Sequence, residues 1–189
     1  MIIGVDLDGV VFDSERLYQA FAEIEDTKRG GGGVINPHEL RIAKRYAWTE
    51  EYLMQFKNDI AHMQDIAGLL PGAKEVMDEI VSMGHTFVSV TARGTITEKV
   101  IPITHRRIEE EKLPISKVVF KQTNKVEACK QENVDIMIDD HYDTVLKLCE
   151  NGVKCLYFRD AIQKEIVHEN VVQVYNWGEI YRYFKNMGK

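Results

Sequence analysis

The sequence predicts an α/β fold built on a mostly parallel sheet, and three observations carry that reading. The chain begins with an apolar, β-branched run, Met1-Ile2-Ile3-Gly4-Val5, that stops at two carboxylates, Asp6 and Asp8. From about residue 73 onward, short β-rich runs alternate with helical stretches, the pattern of repeated strand and helix units whose strands lie parallel. Between these regions, residues 14–68 lose the β-rich runs and read as helix. The expected organisation is a core made of residues 1–13 and 69–189, flanked by helices on its sheet, with a small helical cap at 14–68 inserted after the first strand.

Strand side chains alternate, so Asp6 and Asp8 point to one side while Leu7 points to the other, and Gly9 permits a tight departure. Two carboxylates held this close raise one another's pKa unless a cation is present. A bound divalent metal is the simplest remedy, and Mg²⁺ suits an all-oxygen shell. In the insert, Ser14 reads as an N-cap for a helix presenting Leu17, Phe21 and Ile24 on one face. Gly30 to Gly33 lack the spaced glycines and Lys-(Ser/Thr) of a phosphate-cradling loop and read as a flexible connection. Asn36-Pro37 looks like one further helix start and Thr49-Glu50 another, the latter running through Met54, Phe56 and Ile60.

The second half reads as a helix from Ala73 to Met83 closed by Gly84, then a strand from His85 to Val90 ending at Thr91-Ala92-Arg93-Gly94. A helix over roughly Thr97–Glu111, interrupted by Pro102, precedes the strand Lys117–Phe120. A helix over Lys125–Gln131 leads to the strand Val134–Ile138, which runs into Asp139-Asp140. Tyr142–Glu150 reads as helix, Val153–Phe158 as strand, and Val171–Val174 opens the closing strand and helix.

A net charge of −6 argues against a general binder of nucleic-acid polymers or anionic membranes, which needs a basic face. No apolar run approaches a membrane span, and the opening segment is too short and ends too acidic for a signal peptide, so a cytoplasmic location is expected. Cys129, Cys149 and Cys155 form no Cys-x-x-Cys pair and are expected to be reduced packing thiols. Nothing in the sequence fixes an oligomeric state.

Ligands of open parallel sheets sit outside the carboxyl ends of the strands, which gathers Asp6, Asp8, Thr91, Arg93, Asp139 and Asp140 into one crevice. With its apolar lead-in and Asp6-Leu7-Asp8-Gly9-Val10, the chain resembles the haloacid dehalogenase superfamily, whose phosphatases begin with Asp-x-Asp-Gly-(Thr/Val) on the first strand. The resemblance implies that superfamily's Rossmann-like fold and a Mg²⁺-dependent phosphomonoesterase. It makes Asp6 the nucleophile that forms an aspartyl-phosphate and Asp8 the general acid and base. It makes Thr91 and the amide of Ala92 holders of the phosphoryl oxygens. Metal binding falls to Asp6, the main-chain carbonyl of Asp8, and Asp139 or Asp140. Asp139 is preferred because it directly follows the apolar strand, and Asp143 is left to cap the next helix or support the shell.

The superfamily's lysine, which offsets the charge of nucleophile and phosphate, has two candidates, Lys121 and Lys125. Asn124-Lys125-Val126 resembles the Asp-Lys-Thr of nucleotidase relatives and favours Lys125, leaving Lys121 and Arg93 as substrate contacts. The helical insert and the paired Ile138-Asp139-Asp140 look like the deoxyribonucleotidase group, which implies a small-molecule substrate such as a nucleoside or deoxynucleoside monophosphate. A phosphatase of sugar or other small metabolite phosphates is the alternative, and a phosphate-binding module without turnover the reading from another class. His38, His62, Tyr46 and Trp48 are weighed as a base-binding lining against ordinary packing, and packing is favoured. The insert is expected to open and close over the site, with Gly9, Gly68 and Gly72 as joints.

Overall fold

The computed structural model describes residues 1–39, 41–161 and 163–187. Residue 40 of the expected cap and residues 162, 188 and 189 of the expected core lie outside the described residues. Six strands, β1 (Ile2–Val5), β2 (Thr86–Val90), β3 (Ile115–Val119), β4 (Ile136–Asp139), β5 (Lys154–Phe158) and β6 (Val171–Val174), form one sheet of order β3-β2-β1-β4-β5-β6. Every neighbouring pair is parallel. The chain steps from β1 to β2 on one side and returns to β4 on the other, so the order reverses between β1 and β4. That switch point opens the crevice where ligands of such sheets sit.

The helices are α1 (Ser14–Lys28), α2 (Ile42–Arg45), α3 (Glu50–Asp59), α4 (Ala73–Ser82), α5 (Val100–Glu110), α6 (Lys125–Gln131), α7 (Tyr142–Glu150) and α8 (Trp177–Met187). A 3-10 helix spans Ala61–Asp65. One sheet face buries Ile3, Val5, Phe87 and Ile138 against Met77 and Ile80 of α4 and Trp177, Ile180 and Phe184 of α8. The other buries Val88, Val90, Met137 and Tyr157 against Val126 and Cys129 of α6 and Val145 and Leu148 of α7. This is the near-continuous apolar strand chemistry of a sheet covered on both faces. The three cysteines are buried and free, as packing thiols should be. No helix among the described residues is long and apolar enough to cross a membrane.

Residues between β1 and α4 gather around an apolar cluster of their own, made by Ala22, Ile42, Tyr46, Leu53, Phe56 and Ile60. The two chain segments that join this helical region to the sheet run side by side. Asp13 N donates to Gly68 O at 2.9 Å, and Leu70 N to Val11 O at 2.8 Å. Four local expectations change. Ser14 is the first residue of α1 rather than its cap, Asp13 taking that place. Helix α1 packs Leu17 and Phe21 against the apolar clusters but leaves Ile24 about half exposed, and it turns Ser14, Ala22 and Asp26 inward, where Asp26 accepts hydrogen bonds from Trp48 Nε1 at 2.7 Å and Gly33 N at 2.8 Å. The segment from Asn36 forms a turn, and the helix that follows is only the four residues of α2. Pro102 lies in the first turn of α5, where its missing N–H costs nothing, so the helix is uninterrupted.

Candidate active site

The carboxyl ends of β1, β2 and β4, the loop before α6 and the inner side of the helical region enclose a cavity of about 570 Å³. Asp6, Asp8, Thr91, Ala92, Arg93, Lys125 and Asp140 all line it. Asp6 leaves β1 with its N–H on Ile138 O at 3.0 Å, and its Oδ1 accepts from Leu7 N at 2.8 Å, which holds the carboxylate at the strand end. Its other oxygen lies 2.8 Å from Lys125 Nζ. The same ammonium donates to Asp139 Oδ2 at 2.7 Å, and Asp139 Oδ1 accepts from His141 N at 2.9 Å. Burial pushes the Asp6 carboxyl up to about 6, against the pull of Lys125. Burial alone would lower Lys125, but Asp139 and Asp6 more than offset it and the ammonium is held above its ordinary value.

Asp8 is clamped differently. Arg93 Nε donates to its Oδ2 at 2.9 Å and Nη2 to its Oδ1 at 2.8 Å, a two-point fork, and Ser14 Oγ donates to Oδ1 at 2.5 Å. Burial would raise this carboxyl, yet the Arg93 charge and hydrogen bonds and the Ser14 hydroxyl leave it below its usual value. Arg93 is itself buried, with Nη1 on Thr104 Oγ1 at 3.1 Å and the guanidinium carbon 5.1 Å from the centre of the Phe12 ring. The expected phosphate contact of Arg93 is therefore occupied by Asp8. Thr91 is buried at the end of β2, its N–H on Val119 O at 3.0 Å and its Oγ1 accepting from Arg93 N at 3.2 Å.

Asp140 stands apart from Asp6, Asp8 and Asp139. It is buried, and no hydrogen bond or ion pair to its carboxylate is found among the described residues. Burial, then Glu15, Asp139 and Asp6, push its carboxyl well above the ordinary range. Gly9 lets it come close: with φ at +73° it adopts a backbone that favours glycine, and any Cβ there would collide with Asp140 Oδ2. Gly9 is thus a packed position, at odds with its expected role as a free joint. One oxygen each of Asp6, Asp139 and Asp140 lie within 4.8 Å of one another. An all-oxygen set with one carboxylate that has no partner among the described residues fits a hard divalent cation. Lys125 and His141 N already occupy Asp139, whereas Asp140 is uncommitted among the described residues.

Lys121 is not brought to the cavity. Its φ of 63° turns the chain, and the half-exposed ammonium pairs with Glu98 outside. Asp143 neither caps α7 nor faces the acids; it lies 3.2 Å from both Arg41 Nη1 and Lys44 Nζ of the helical region. Tyr46 and Trp48 stack 5.0 Å apart, their polar atoms on Glu23 and Asp26, and neither they nor His38 or His62 line the cavity. Residues without a motif supply the rest of the lining. Glu15 sits one position after Ser14 and is pushed up to about 8 by burial and then by Asp8 and Asp6. Tyr18, Lys57 and Gln64 join it. Ser14, Glu15 and Tyr18 share a helix face at spacings of three and four, the one sequence signal that could have found them.

The family described as 5′ nucleotidase, deoxy (pyrimidine), cytosolic type C protein matches residues 1–187. A nucleotidase of Clostridium acetobutylicum is 28% identical over 102 residues, which are 53% of this chain and 52% of that protein, so the match spans about half the relative's length. The nucleotidase-named YqfW of Bacillus subtilis is 24% identical over 97% of this chain and 93% of its own. Among solved structures, a haloacid dehalogenase-like protein of unknown function from Agrobacterium tumefaciens superposes with a TM-score of 0.71 at 9% identity, covering 100% of this chain and 99% of that one. A predicted phosphoglycolate phosphatase from Haemophilus somnus superposes with a TM-score of 0.63 at 15% identity, covering 96% of each chain. These likenesses show a haloacid dehalogenase-like fold, and the family match over nearly the whole length shows the kinship: the chain belongs to the cytosolic type C 5′-nucleotidase family, a family of phosphoric monoester hydrolases.

Proposed function

We propose that the protein is a Mg²⁺-dependent phosphomonoesterase that works through an aspartyl-phosphate on Asp6 and acts on nucleoside or deoxynucleoside monophosphates. The observation that carries this reading is the division of labour between Asp6 and Asp8, two residues apart in one cavity with unlike partners. Asp6 is held by its own strand end and by Lys125, so its carboxylate is oriented for attack on phosphorus. Lys125 offsets charge that accumulates on Asp6 and on a bound phosphate. Asp8 serves as acid and then base, protonating the leaving oxygen and later activating water. Its pairing with Arg93 disfavours the protonated form, so this pair must open during the cycle, and an arriving phosphate dianion competes for the guanidinium. Thr91 Oγ1 and the Ala92 amide hold phosphoryl oxygens.

Asp6 and Asp140, with Asp139 behind them, would hold the Mg²⁺, whose charge would stabilise the transferring phosphoryl group. Hydrolysis of p-nitrophenyl phosphate, lost on adding EDTA and restored by Mg²⁺, is the expected result. A folded protein that binds phosphate but releases none from any ester would favour the phosphate-binding module instead.

A second reading, a phosphatase of sugar or other small metabolite phosphates, draws on one specific observation. No Phe or Trp is among the described residues lining the cavity, and its rings are those of Tyr18 and His141, so a broad stacking platform for a base is missing there. A panel of nucleoside monophosphates and sugar phosphates, ranked by kcat/KM, separates the two. The family match and nucleotidase-named relatives support nucleotides as the first class to try. A cytoplasmic location agrees with the family's description and is proposed with it.

A further inference from the structure

Asp139 and Asp140 are adjacent and both buried, yet they are held by different means. Strand β4 ends at Asp139, which lies beside Tyr157 of β5, and its carboxylate is tied to Lys125 and His141 N. Asp140 lies one residue past the ladder. Its carboxylate packs over Gly9, and its main-chain carbonyl accepts a hydrogen bond of 2.8 Å from Nε2 of Gln163, a buried side chain 23 positions away.

Gln163 lies on the connection between β5 and β6, and both ends of its amide are committed. Its Oε1 accepts from Asp160 N at 2.6 Å, while its own main-chain N donates to Asp160 O at 3.2 Å. An N–H on one side and a carbonyl on the other leave one orientation for the amide, with its nitrogen on Asp140. Buried Arg159 fixes the same loop. Its Nε donates to Asp160 O at 3.2 Å, its Nη1 to Gln173 Oε1 of β6 at 2.9 Å, and its main-chain N to Val174 O at 2.9 Å. A continuous set of hydrogen bonds therefore runs from β6 through the loop at Asp160 to the backbone of Asp140.

We propose that Gln163 is a positioning residue of the metal site: by holding the Asp140 carbonyl it fixes where that carboxylate stands, and with it the affinity for Mg²⁺. The inference rests on the Mg²⁺ reading above, with Asp140 as a ligand, and deepens it. The Asp140 carboxylate has no hydrogen-bond or ion-pair partner among the described residues, so its place is set by the backbone that carries it and by the packing against Gly9. Mg²⁺ demands near-ideal octahedral geometry, and a ligand carried on a looser turn costs affinity. Groups that hold a metal's ligands from behind tune its affinity by about 10–100-fold.

The test uses the full chain and Mn²⁺, which takes the same oxygen ligands as Mg²⁺. Binding is followed by electron paramagnetic resonance of the free ion, with Mg²⁺ as competitor and no substrate present. Gln163→Met should weaken Mn²⁺ binding by about tenfold. Asp140→Ala should weaken it too, and adding Gln163→Met to Asp140→Ala should cost less than about twofold more, because the glutamine acts through Asp140. In turnover of p-nitrophenyl phosphate, Gln163→Met should raise the half-saturating Mg²⁺ concentration by about tenfold and, at saturation, leave kcat within about threefold of wild type. A glutamine that merely braces its loop would lower the urea midpoint and leave the metal affinity of the folded protein alone. If Gln163→Met does not fold, Gln163→Asn keeps the amide but draws it back by one carbon and is read the same way. The inference is overturned if the variant binds Mn²⁺ within about twofold of wild type, if its loss persists undiminished in Asp140→Ala, or if Asp140→Ala itself binds as wild type does; the Mg²⁺ reading survives each of these. Should wild type bind no divalent ion at all, both fall together.

Discussion

The core side and the cap side of the cavity are made by different means. On the core side, Asp6, Thr91 and Asp139 project from consecutive ends of β1, β2 and β4, and their partners are fixed by the sheet's own register. Lys125 bridges Asp6 and Asp139 from a helix start, at 2.8 and 2.7 Å. On the cap side, Tyr18, Lys57 and Gln64 come from three separate helical segments held together by a small apolar cluster and by side-chain hydrogen bonds such as Gln64 to Tyr18. Across the seam, Arg41 and Lys44 reach Asp143 through pairs that are 40–50% exposed, which are weak holders. The side fixed by the sheet suits chemistry that tolerates little displacement, and the side assembled from helical segments suits selection.

The sharpest way to break that division is at its centre. Asp6→Asn should lower kcat on the order of 10⁴-fold or more on every ester while leaving the far-ultraviolet circular dichroism unchanged, since an amide cannot form the acyl-phosphate. Next in size is Lys125→Met, which strands Asp6 and Asp139 as buried carboxylates without their shared cation. Breaking such a pair costs about 3–5 kcal/mol, so urea unfolding should show a lower midpoint at pH 7 than wild type. Mg²⁺ should restore part of that loss, and a midpoint unmoved in either buffer would mean the lysine is not integral to the core side.

A finer comparison lies between neighbours. Asp140→Ala should raise the Mg²⁺ concentration needed for half-maximal activity by about 10–100-fold, with activity partly recovered at high Mg²⁺. Asp139→Ala should instead cost stability, because Lys125 loses one partner. If the metal requirement follows Asp139 and not Asp140, the ligand assignment reverts to the strand-end residue. The smallest effect expected is that of Lys121→Ala, within about twofold in kcat/KM, given that its ammonium pairs with an exposed Glu98 away from the cavity.

The same contrast governs what the sequence reveals. Strand-end chemistry is local: a run of buried residues ends in Asp, Thr or Lys, and the parallel-sheet rule brings those ends together. Helices α6 and α7 begin and end where periodicity and turn residues place them, at Lys125–Gln131 and Tyr142–Glu150. Cap-side chemistry has no such address. Helix α1 packs Leu17 and Phe21 as its apolar face predicts, but it leaves Ile24 about half exposed and buries Asp26 on Trp48 Nε1, which no local pattern announces. Gln64 lies in a short 3-10 helix with no motif, and it lines the cavity beside Tyr18, 46 positions away. The choice between Asp139 and Asp140 was equally invisible, because it turns on which carboxylate Lys125 already holds.

The central claim is that Asp6, on the core side, carries the phosphoryl group. Acid-quenched single turnovers with ³²P-labelled p-nitrophenyl phosphate test it most directly, with peptide mapping of the labelled protein. The account predicts alkali-labile label on the peptide containing Asp6, growing within the first turnover and absent from Asp6→Asn. Full turnover by wild type with no protein-bound label at any quench time, or label on another residue, would contradict it.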